Sequence, residues 1–243
     1  MPVKSTLLDK SFKILERIAV SPEPVTLKEL AADLGLNTST VSRITSDLTA
    51  RNLIRKAGYH SFVPSTGLML WGQCAHDTPL IRTVSQLLQG RSGDLTADIC
   101  FSCIESNHLV HLCKEVVSES DFLHNKIPLW RSPLAAVILC KDAAAAQEYF
   151  DAVISEENSS LNTTVQKSSV FKELLESTAK DGFSIFKDPR IGWSVTYPVS
   201  AAGQSFALSF SGRDIDKCNM ERMLFECSRL ASRLTSVLNG LFY

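Results

Sequence analysis

The chain is poor in glycine and lacks long apolar runs. Only 11 of its 243 residues are glycine, fewer than the ~7% usual in proteins, which argues against a fold built on glycine-rich phosphate loops. No apolar run approaches the ~18 residues of a membrane span. Residues 1–15 contain no uninterrupted apolar stretch of the kind that marks a secretory signal. We therefore expect no membrane partner and no export.

Cysteine is also scarce, with seven residues, an odd number. Secreted disulfide-stapled folds carry more cysteines in even number, so we expect a reducing cytoplasm. Cys100 and Cys103, with His108, His111 and Cys113 nearby, resemble a metal cluster in composition alone. Side chains three positions apart on a strand leave opposite faces, and the spacing to the first histidine is too short for a zinc finger. We expect buried thiols and no metal site.

Catalytic signatures are missing as well. The sequence contains no Gly-x-Ser-x-Gly elbow, no His-Glu-x-x-His pair and no phosphate loop. We therefore predict no catalytic residues and no cofactor.

Hydrophobic residues make up 44% and charged residues 21%, values that exclude wholesale disorder. The length predicts one large or two modest domains.

Charge is unevenly distributed along the chain. The net charge is −1, yet residues 1–64 carry +3 and the remainder carries −4. A small basic unit before a larger acidic one is typical of a nucleic-acid-binding module joined to a domain that avoids the polyanion.

The first 65 residues have the pattern of a winged helix-turn-helix. Residues 7–20 predict a helix with an inward stripe, and prolines end it at 22 and 24. Thr26 and Glu29 form a capping-box pattern for a second helix, which Gly35 ends. A third helix follows Asn37, so two short helices flank a glycine-containing turn. Residues 53–56 and 60–63, with a turn at Gly58, predict the β-hairpin wing. The stripe of the first helix comprises Leu8, Phe12, Leu15 and Ala19.

The third helix presents two different faces. Val41, Ile44 and Leu48 fall on one stripe, which must face the first two helices. The opposite face carries small hydroxyls and one arginine, which let the helix enter a ~12 Å major groove and let arginine bind guanine bidentately. The alternatives are an ordinary solvated face or a protein-binding winged helix. The predicted DNA-binding residues are Thr26, Ser39, Thr40, Ser42, Arg43, Ser46, Lys56 and His60.

The stretch from Ser11 to Cys74 resembles the N-terminal domain of the isocitrate lyase regulator (IclR) family of bacterial transcription regulators. The resembling segments are SFKILERIA, TLKELAADLGLNTSTVSRITSDLTARNLI and STGLMLWGQC. In that family a Ser-Thr pair and an arginine three residues later lie on the recognition helix, and they match Ser39, Thr40 and Arg43. Ser42 stands where many members have histidine. The resemblance implies binding to a double-stranded DNA operator.

Residues 66–92 connect the two halves. They predict an apolar helical segment near Leu68, Leu70 and Trp71, a break at 76–79, and a second helix from Leu80 to about Gln89. The resemblance implies a linker helix and the first helix of an effector domain. The apolar side chains of the first segment could pack within the chain, or they could be exposed on the chain and lie in a homodimer interface.

Residues 93–243 predict an α+β domain with the helices packed to one side of antiparallel strands. The predicted strands are 96–104, 109–117, 183–187, 193–199 and 205–210. The predicted helices are 132–140, 142–154, 170–180 and a long final helix that begins at Asp214 and carries an apolar series including Val237. This arrangement resembles the GAF-like effector domain of the IclR family.

Three segments carry that second resemblance: PLWRSPLAAVIL, DGFSIFKD, and WSVTYPV followed by SFALSFSG. In members that bind small carboxylates or keto acids, effector contacts come from these loops and strands. The chain departs from the family at Trp130, Arg131 and Pro133, and Arg131 could complement an anion or face solvent. The implied effector-binding residues are Ser132, Pro133, Asp188, Ser194, Ser209 and Ser211.

Together these patterns predict a winged-helix domain at 1–65, a connector at 66–92 and an effector domain at 93–243. We expect a homodimer or dimer of dimers that binds an operator and responds to a small-molecule effector, an organic acid or a related metabolite. A protein-binding sensor module and a small-molecule enzyme are the rival functions. Salt-dependent DNA affinity separates the first reading from both rivals, and turnover separates the enzyme. The sequence leaves open whether the regulator activates or represses.

Overall fold

The chain divides into two structural units, residues 1–77 and 78–243. The computed structural model describes residues 6–91, 97–117, 127–156, 161–189, 192–213 and 217–241. The division lies inside the segment 66–92 that the sequence assigns to a connector. None of the helices in these described ranges combines the length and the apolar character that crossing a membrane requires.

Over its described residues, 6–77, the first unit contains four helices and a small antiparallel sheet with strand order β1-β3-β2. Its core consists of buried side chains from the first three helices and from the hairpin, among them Ile14, Leu30, Ile44 and Phe62. The elements are α1 (Leu7–Ala19), β1 (Val25–Thr26), α2 (Leu27–Asp33), α3 (Thr38–Ala50), β2 (Ile54–Gly58), β3 (Ser61–Pro64) and α4 (Gly67–His76).

Helix α1 packs on its neighbours with a different stripe from the predicted one. Its buried residues are Ile14, Leu15 and Ile18, whereas Leu8 and Phe12 remain 66% and 47% exposed. Ala19 is also exposed, so only Leu15 of the predicted stripe is buried. The helix is apolar on two faces, and spacing alone does not tell which face meets the unit's own core.

The ends of α2 and α3 form as the sequence predicts. Thr26 and Glu29 make both hydrogen bonds of a capping box, and Asn37 accepts a hydrogen bond from the N–H of Thr40. Gly35 has a φ of +61° between the two helices, a left-handed conformation that glycine adopts without strain. The wing turn was misplaced, because Gly58 belongs to β2 and the left-handed residue of the turn is His60.

The second unit is built on a five-stranded antiparallel sheet with strand order β5-β4-β8-β7-β6. A single 3₁₀ turn at Leu129–Arg131 precedes α6. The elements are α5 (Pro79–Leu88), β4 (Asp98–Glu105), β5 (His108–Glu115), α6 (Pro133–Leu139), α7 (Ala143–Glu156), α8 (Leu161–Asp181), β6 (Ser184–Asp188), β7 (Gly192–Ala201), β8 (Gln204–Gly212) and α9 (Lys217–Leu241).

Helices cover both faces of this sheet, so the expectation of one covered side is wrong while the α+β class is confirmed. On one face, Phe101 and Leu208 pack with α9 residues such as Leu230. On the other, Cys100 packs against Leu134 of α6. The α7 and α8 helices add a separate cluster around stacked aromatic rings.

Helix α8 starts at Leu161 rather than at the predicted residue 170. In α9, Val237 of the predicted apolar series is 37% exposed. The predicted helix start at Asp214 lies outside the described residues. A bulge interrupts the β4–β5 ladder: Phe101 pairs with Cys113, but Ser102 pairs with His111.

Candidate nucleic-acid interface and effector site

The solvent face of α3 carries the predicted hydroxyl and arginine side chains. Ser39, Ser42, Arg43 and Ser46 are exposed, and Thr40 is half-buried. Among the described residues, Arg43 has no hydrogen-bond or ion-pair partner, so its guanidinium is available to a ligand. Such a face fits a nucleic-acid groove because small side chains allow close approach and arginine can bind a base edge.

The opposite face of α3 fixes the helix in the first unit. Val41 and Ile44 are fully buried, and Thr45 between the apolar positions is 1% exposed. Its hydroxyl donates to the carbonyl of Ser42 at 3.1 Å. This packing leaves the outward face little freedom to rotate toward the core.

The turn of the wing lies close to the first residue of α2. The backbone N–H of Leu27 donates to the carbonyl of His60 at 3.1 Å and ties the wing turn to that helix. The predicted contacts Lys56 and His60 are both exposed. Tyr59, which the sequence reading missed, is 91% exposed at the tip, with its ring centroid 4.0 Å from that of His60. A tyrosine in a hairpin turn was the available signal.

The hydroxyl of Thr26 forms hydrogen bonds within the capping box of α2. It accepts from the N–H of Glu29 at 3.2 Å and donates to the Glu29 carboxylate at 2.8 Å. The backbone N–H of Thr26, followed by this hydroxyl, lowers the pKa of Glu29. Thr26 therefore positions α2, and its hydroxyl has local partners already.

In the second unit, buried hydroxyl groups meet on the face of the sheet that α6 covers. The hydroxyl of Thr196 donates to Ser209 at 3.0 Å, and Ser194 and Ser209 lie 2.9 Å apart between their oxygens. Ser211 stands directly opposite Ser194 in the β7–β8 ladder. All four side chains are completely buried. Thr196 was missed, although two-residue alternation from Ser194 places it on the same face.

The loop before α6 reaches the same face at β6. Arg131 lies 3.4 Å from Asp188 between Nη1 and Oδ2, and its guanidinium sits 5.1 Å from the ring centroid of Phe186. Asp188 is 1% exposed. Ser132 is buried and its oxygen accepts from the N–H of Ala135 at 3.4 Å, while Pro133 is the first residue of α6.

A second polar group extends across β4 and β5. The imidazole Nδ1 of His111 lies 2.9 Å from the Ser102 oxygen and 3.1 Å from the Cys100 sulfur. Burial, with a smaller effect from Lys114, lowers the pKa of His111 to about 4. Burial also raises the pKa of the Cys100 thiol to about 12. This pair is therefore a neutral imidazole and a neutral thiol at pH 7.

The cysteines lie as their spacing predicts. Cys100 packs on the α6 side of the sheet and Cys103 on the α9 side, so they leave opposite faces. Within the described ranges, no three His, Cys, Asp or Glu side chains are grouped closely enough to hold a metal ion.

The two-unit architecture has counterparts among solved structures. An IclR-family transcriptional regulator from Brucella abortus is 16% identical, with a TM-score of 0.74 over 95% of this chain and 92% of that one. A regulator from Alicyclobacillus acidocaldarius is 14% identical, with a TM-score of 0.66 over 95% and 97%. An IclR homologue from Microbacterium hydrocarbonoxydans, complexed with 4-hydroxybenzoate, is 16% identical, with a TM-score of 0.57 over 96% and 100%. At these identities the matches show a common fold.

The sequence of the first unit matches a known domain family. Residues 7–58 match the IclR helix-turn-helix domain. The first unit therefore carries a helix-turn-helix domain of the IclR type. Among curated proteins no sequence matches it. The matched range contains α3 and the first strand of the wing, so the predicted DNA-binding face of α3 lies inside the matched domain.

Proposed function

We propose that the protein is a transcription regulator of the IclR type, which binds operator DNA as a homodimer or dimer of dimers and changes its operator affinity when a small organic acid binds in the second unit. The observation that carries the proposal is the exposed hydroxyl-and-arginine face of α3 within an IclR helix-turn-helix domain. The proposed boundaries are 1–65 for the DNA-binding domain, 66–92 for the connector and 93–243 for the GAF-like effector domain.

The DNA contacts are proposed at two elements. Ser39, Ser42, Arg43 and Ser46 of α3 enter the major groove, and the exposed wing supplies further contacts through residues 56–60. One copy of residues 1–64, with a charge of +3, binds DNA weakly, because affinity grows with the number of phosphates that lysine and arginine neutralise. Two half-sites about one helical turn (~34–36 Å) apart, or a multiple of it, remedy this weakness.

Exposed apolar side chains of the first unit support the homodimer. Leu7, Leu8 and Phe12 of α1 are 51%, 66% and 47% exposed. On α4, which has no buried residue, Leu70 and Trp71 are 62% and 53% exposed. A groove of about 880 Å³ runs beside these two helices, with both Phe12 and Trp71 in its lining. A second copy of the chain would cover this surface.

The effector contacts are proposed at the buried polar face of the second unit. Ser194, Ser209 and Ser211 supply hydroxyls that can turn their hydrogens toward a carboxylate. Asp188, Ser132 and Pro133 flank them at the end of β6 and the start of α6. The IclR homologue that is complexed with 4-hydroxybenzoate supports an organic acid as the ligand class here.

Two measurements, made one after the other, test the proposal. Fragments of the source genome that the full-length protein retains are sequenced, and affinity for a retained fragment is measured against salt beside a random duplex. We expect specific binding with a steep salt dependence. Small organic acids are then titrated into the complex, and at least one is expected to change the affinity. A protein without fragment preference contradicts operator recognition, and an affinity that no acid changes contradicts the effector assignment.

A further inference from the structure

Arg131 and its partner Asp188 are charged side chains at the edge of a cluster of neutral hydroxyls. Arg131 ends the 3₁₀ turn Leu129–Arg131, and its N–H donates to the carbonyl of Pro128 at 2.9 Å. The hydroxyl of Tyr149, a buried residue of α7, donates to the carbonyl of Leu129 at 3.3 Å. The backbone that carries Arg131 is therefore held from both sides.

The ladder of the sheet places the guanidinium beside the hydroxyl cluster. Phe186 of β6 pairs with Ser194 of β7, and the Arg131 guanidinium stands over the Phe186 ring. Neighbouring strands are ~4.8 Å apart, so Ser194 on β7 is about one strand spacing from the Phe186 ring beneath the cation, and Ser209 on β8 is about two. Ser194 is thus flanked by the arginine on one side and by further serines on the other.

Arg131 has unused donor capacity. A guanidinium carries five N–H donors in a planar fork. Asp188 is its hydrogen-bond partner among the described residues, through one atom pair at the long distance of 3.4 Å. The side chain is 36% exposed, so its other donors are reachable. Asp188, at 1% exposure, holds the guanidinium toward the sheet without occupying the fork.

We propose that Arg131 is the residue that makes this site select anionic ligands, by binding the ligand carboxylate bidentately while Ser194 and Ser209 bind the same ligand's polar atoms. Asp188 positions the guanidinium over Phe186. The inference rests on the proposed effector site and adds the residue that distinguishes an acid from a neutral analogue of the same shape. Arginine forms two parallel hydrogen bonds to a carboxylate, which lysine does not reproduce.

The test compares acids with their own amides on the full-length protein. Calorimetry measures the affinity of lactate, pyruvate, succinate and benzoate, and of the corresponding primary amides. For wild type we expect at least one acid to bind tenfold or more tightly than its amide. Arg131→Lys should reduce this ratio several-fold, and Arg131→Gln should bring it near one. Lys187→Gln is the matched control, because Lys187 lies over Trp193, on the other side of the same strand, and it should leave the ratio unchanged.

The variant Arg131→Gln leaves Asp188 buried beside a neutral side chain, which endangers folding. The double variant Arg131→Gln with Asp188→Asn removes both charges and should also lose the preference for acids. Wild-type protein that binds no acid, or binds acids and amides equally, overturns the inference, and so does a ratio that survives in the folded double variant. If a ligand binds with an affinity that Ser209→Ala lowers, while substitution of Arg131 leaves the acid-to-amide affinity ratio unchanged, only this inference fails and the effector site stands. If no ligand binds at all, the proposed effector site fails with it.

Discussion

Gly67, the first residue of α4, lies against the backbone carbonyl of Asn52, so that a β-carbon on residue 67 would overlap that carbonyl group. Asn52 has a φ of +58°, and its side-chain oxygen accepts a 2.7 Å hydrogen bond from the Ser65 hydroxyl. The end of α3 and the start of α4 are therefore joined through one backbone contact that only glycine permits.

This contact predicts opposite outcomes for two glycines of the same helix. Gly67→Ala should destabilise the protein by ~1–3 kcal/mol, as overpacking usually does. Gly72→Ala, with nothing near its added methyl, should instead stabilise it by ~0.4–1 kcal/mol. Urea unfolding of both variants gives the comparison. Equal effects at the two positions would show that the Asn52 contact has no energetic weight.

Removing Arg43 should weaken operator recognition selectively. Arg43→Ala is expected to lower specific affinity by ~1–3 kcal/mol and random-duplex affinity less, because base-edge contacts distinguish sequences and phosphate contacts do not. Lys13→Ala is the charge-matched control, since Lys13 is an exposed cation on α1 paired with Asp9. Equal losses on both DNAs would reassign Arg43 to phosphate binding, and no loss would contradict the docking of α3.

An acidic side chain on the exposed apolar face of α1 should dissociate the proposed homodimer. Leu8→Glu places a charge where the proposed second copy packs, and the residue's 66% exposure leaves the fold intact. Val165→Glu changes a residue of 64% exposure on α8 and serves as control. Sedimentation velocity at micromolar concentration should show a monomer for the first variant alone. A stable wild-type monomer with full operator affinity would refute the assembly.

Replacing two buried serines should uncouple ligand from DNA. Ser209→Ala with Ser211→Ala is expected to keep operator affinity and to lose the effector response, because each hydrogen bond to a charged ligand is worth ~1.5–3 kcal/mol. Ser205→Ala, an exposed serine of the same strand, should respond as wild type does. Calorimetry with the identified effector, and thermal unfolding as a fold check, give the answer. Unchanged ligand affinity would make these serines ordinary structural residues.

His111 should make the folded state sensitive to mild acid. Burial lowers the pKa of His111 to about 4, against ~6.5 for an unperturbed histidine. The unfolded chain therefore binds more protons between these values, so stability is lost as pH falls from about 6.5 toward 4, by up to ~3 kcal/mol. Unfolding free energies at pH 7, 6 and 5 should fall more steeply for wild type than for His111→Gln. Parallel curves would mean that His111 titrates normally.

Local rules predicted the first unit well and its outer surface poorly. The capping box at Thr26, the cap at Asn37 and the left-handed Gly35 are set by neighbouring residues, so spacing suffices to find them. The stripe of α1 is different, because Leu8 and Ile14 both belong to helical stripes and only tertiary packing selects the buried one. The exposed stripe then becomes the surface available to a second copy.

In the second unit, single strands were predictable and their neighbours were not. Ser209 and Ser211 lie on the same face of their strand because side chains alternate every two residues, and this follows from the sequence alone. The contact of His111 with Ser102 depends on the pairing of two strands and on a bulge, which no count along one strand provides. Arg131 and Asp188 are 57 residues apart, and only the completed sheet brings them together.

The bulge in β5 also bears on how the chain could vary during evolution. Phe101 pairs with Cys113 and Ser102 with His111, so Leu112 is the extra residue between two otherwise regular stretches of ladder. Deleting Leu112 would join those stretches into one uninterrupted ladder and keep His111 and Cys113 on their present, opposite faces. Insertions or deletions of one residue elsewhere in this strand would turn one of them over. Alignments of related regulators should therefore place a single-residue gap at position 112.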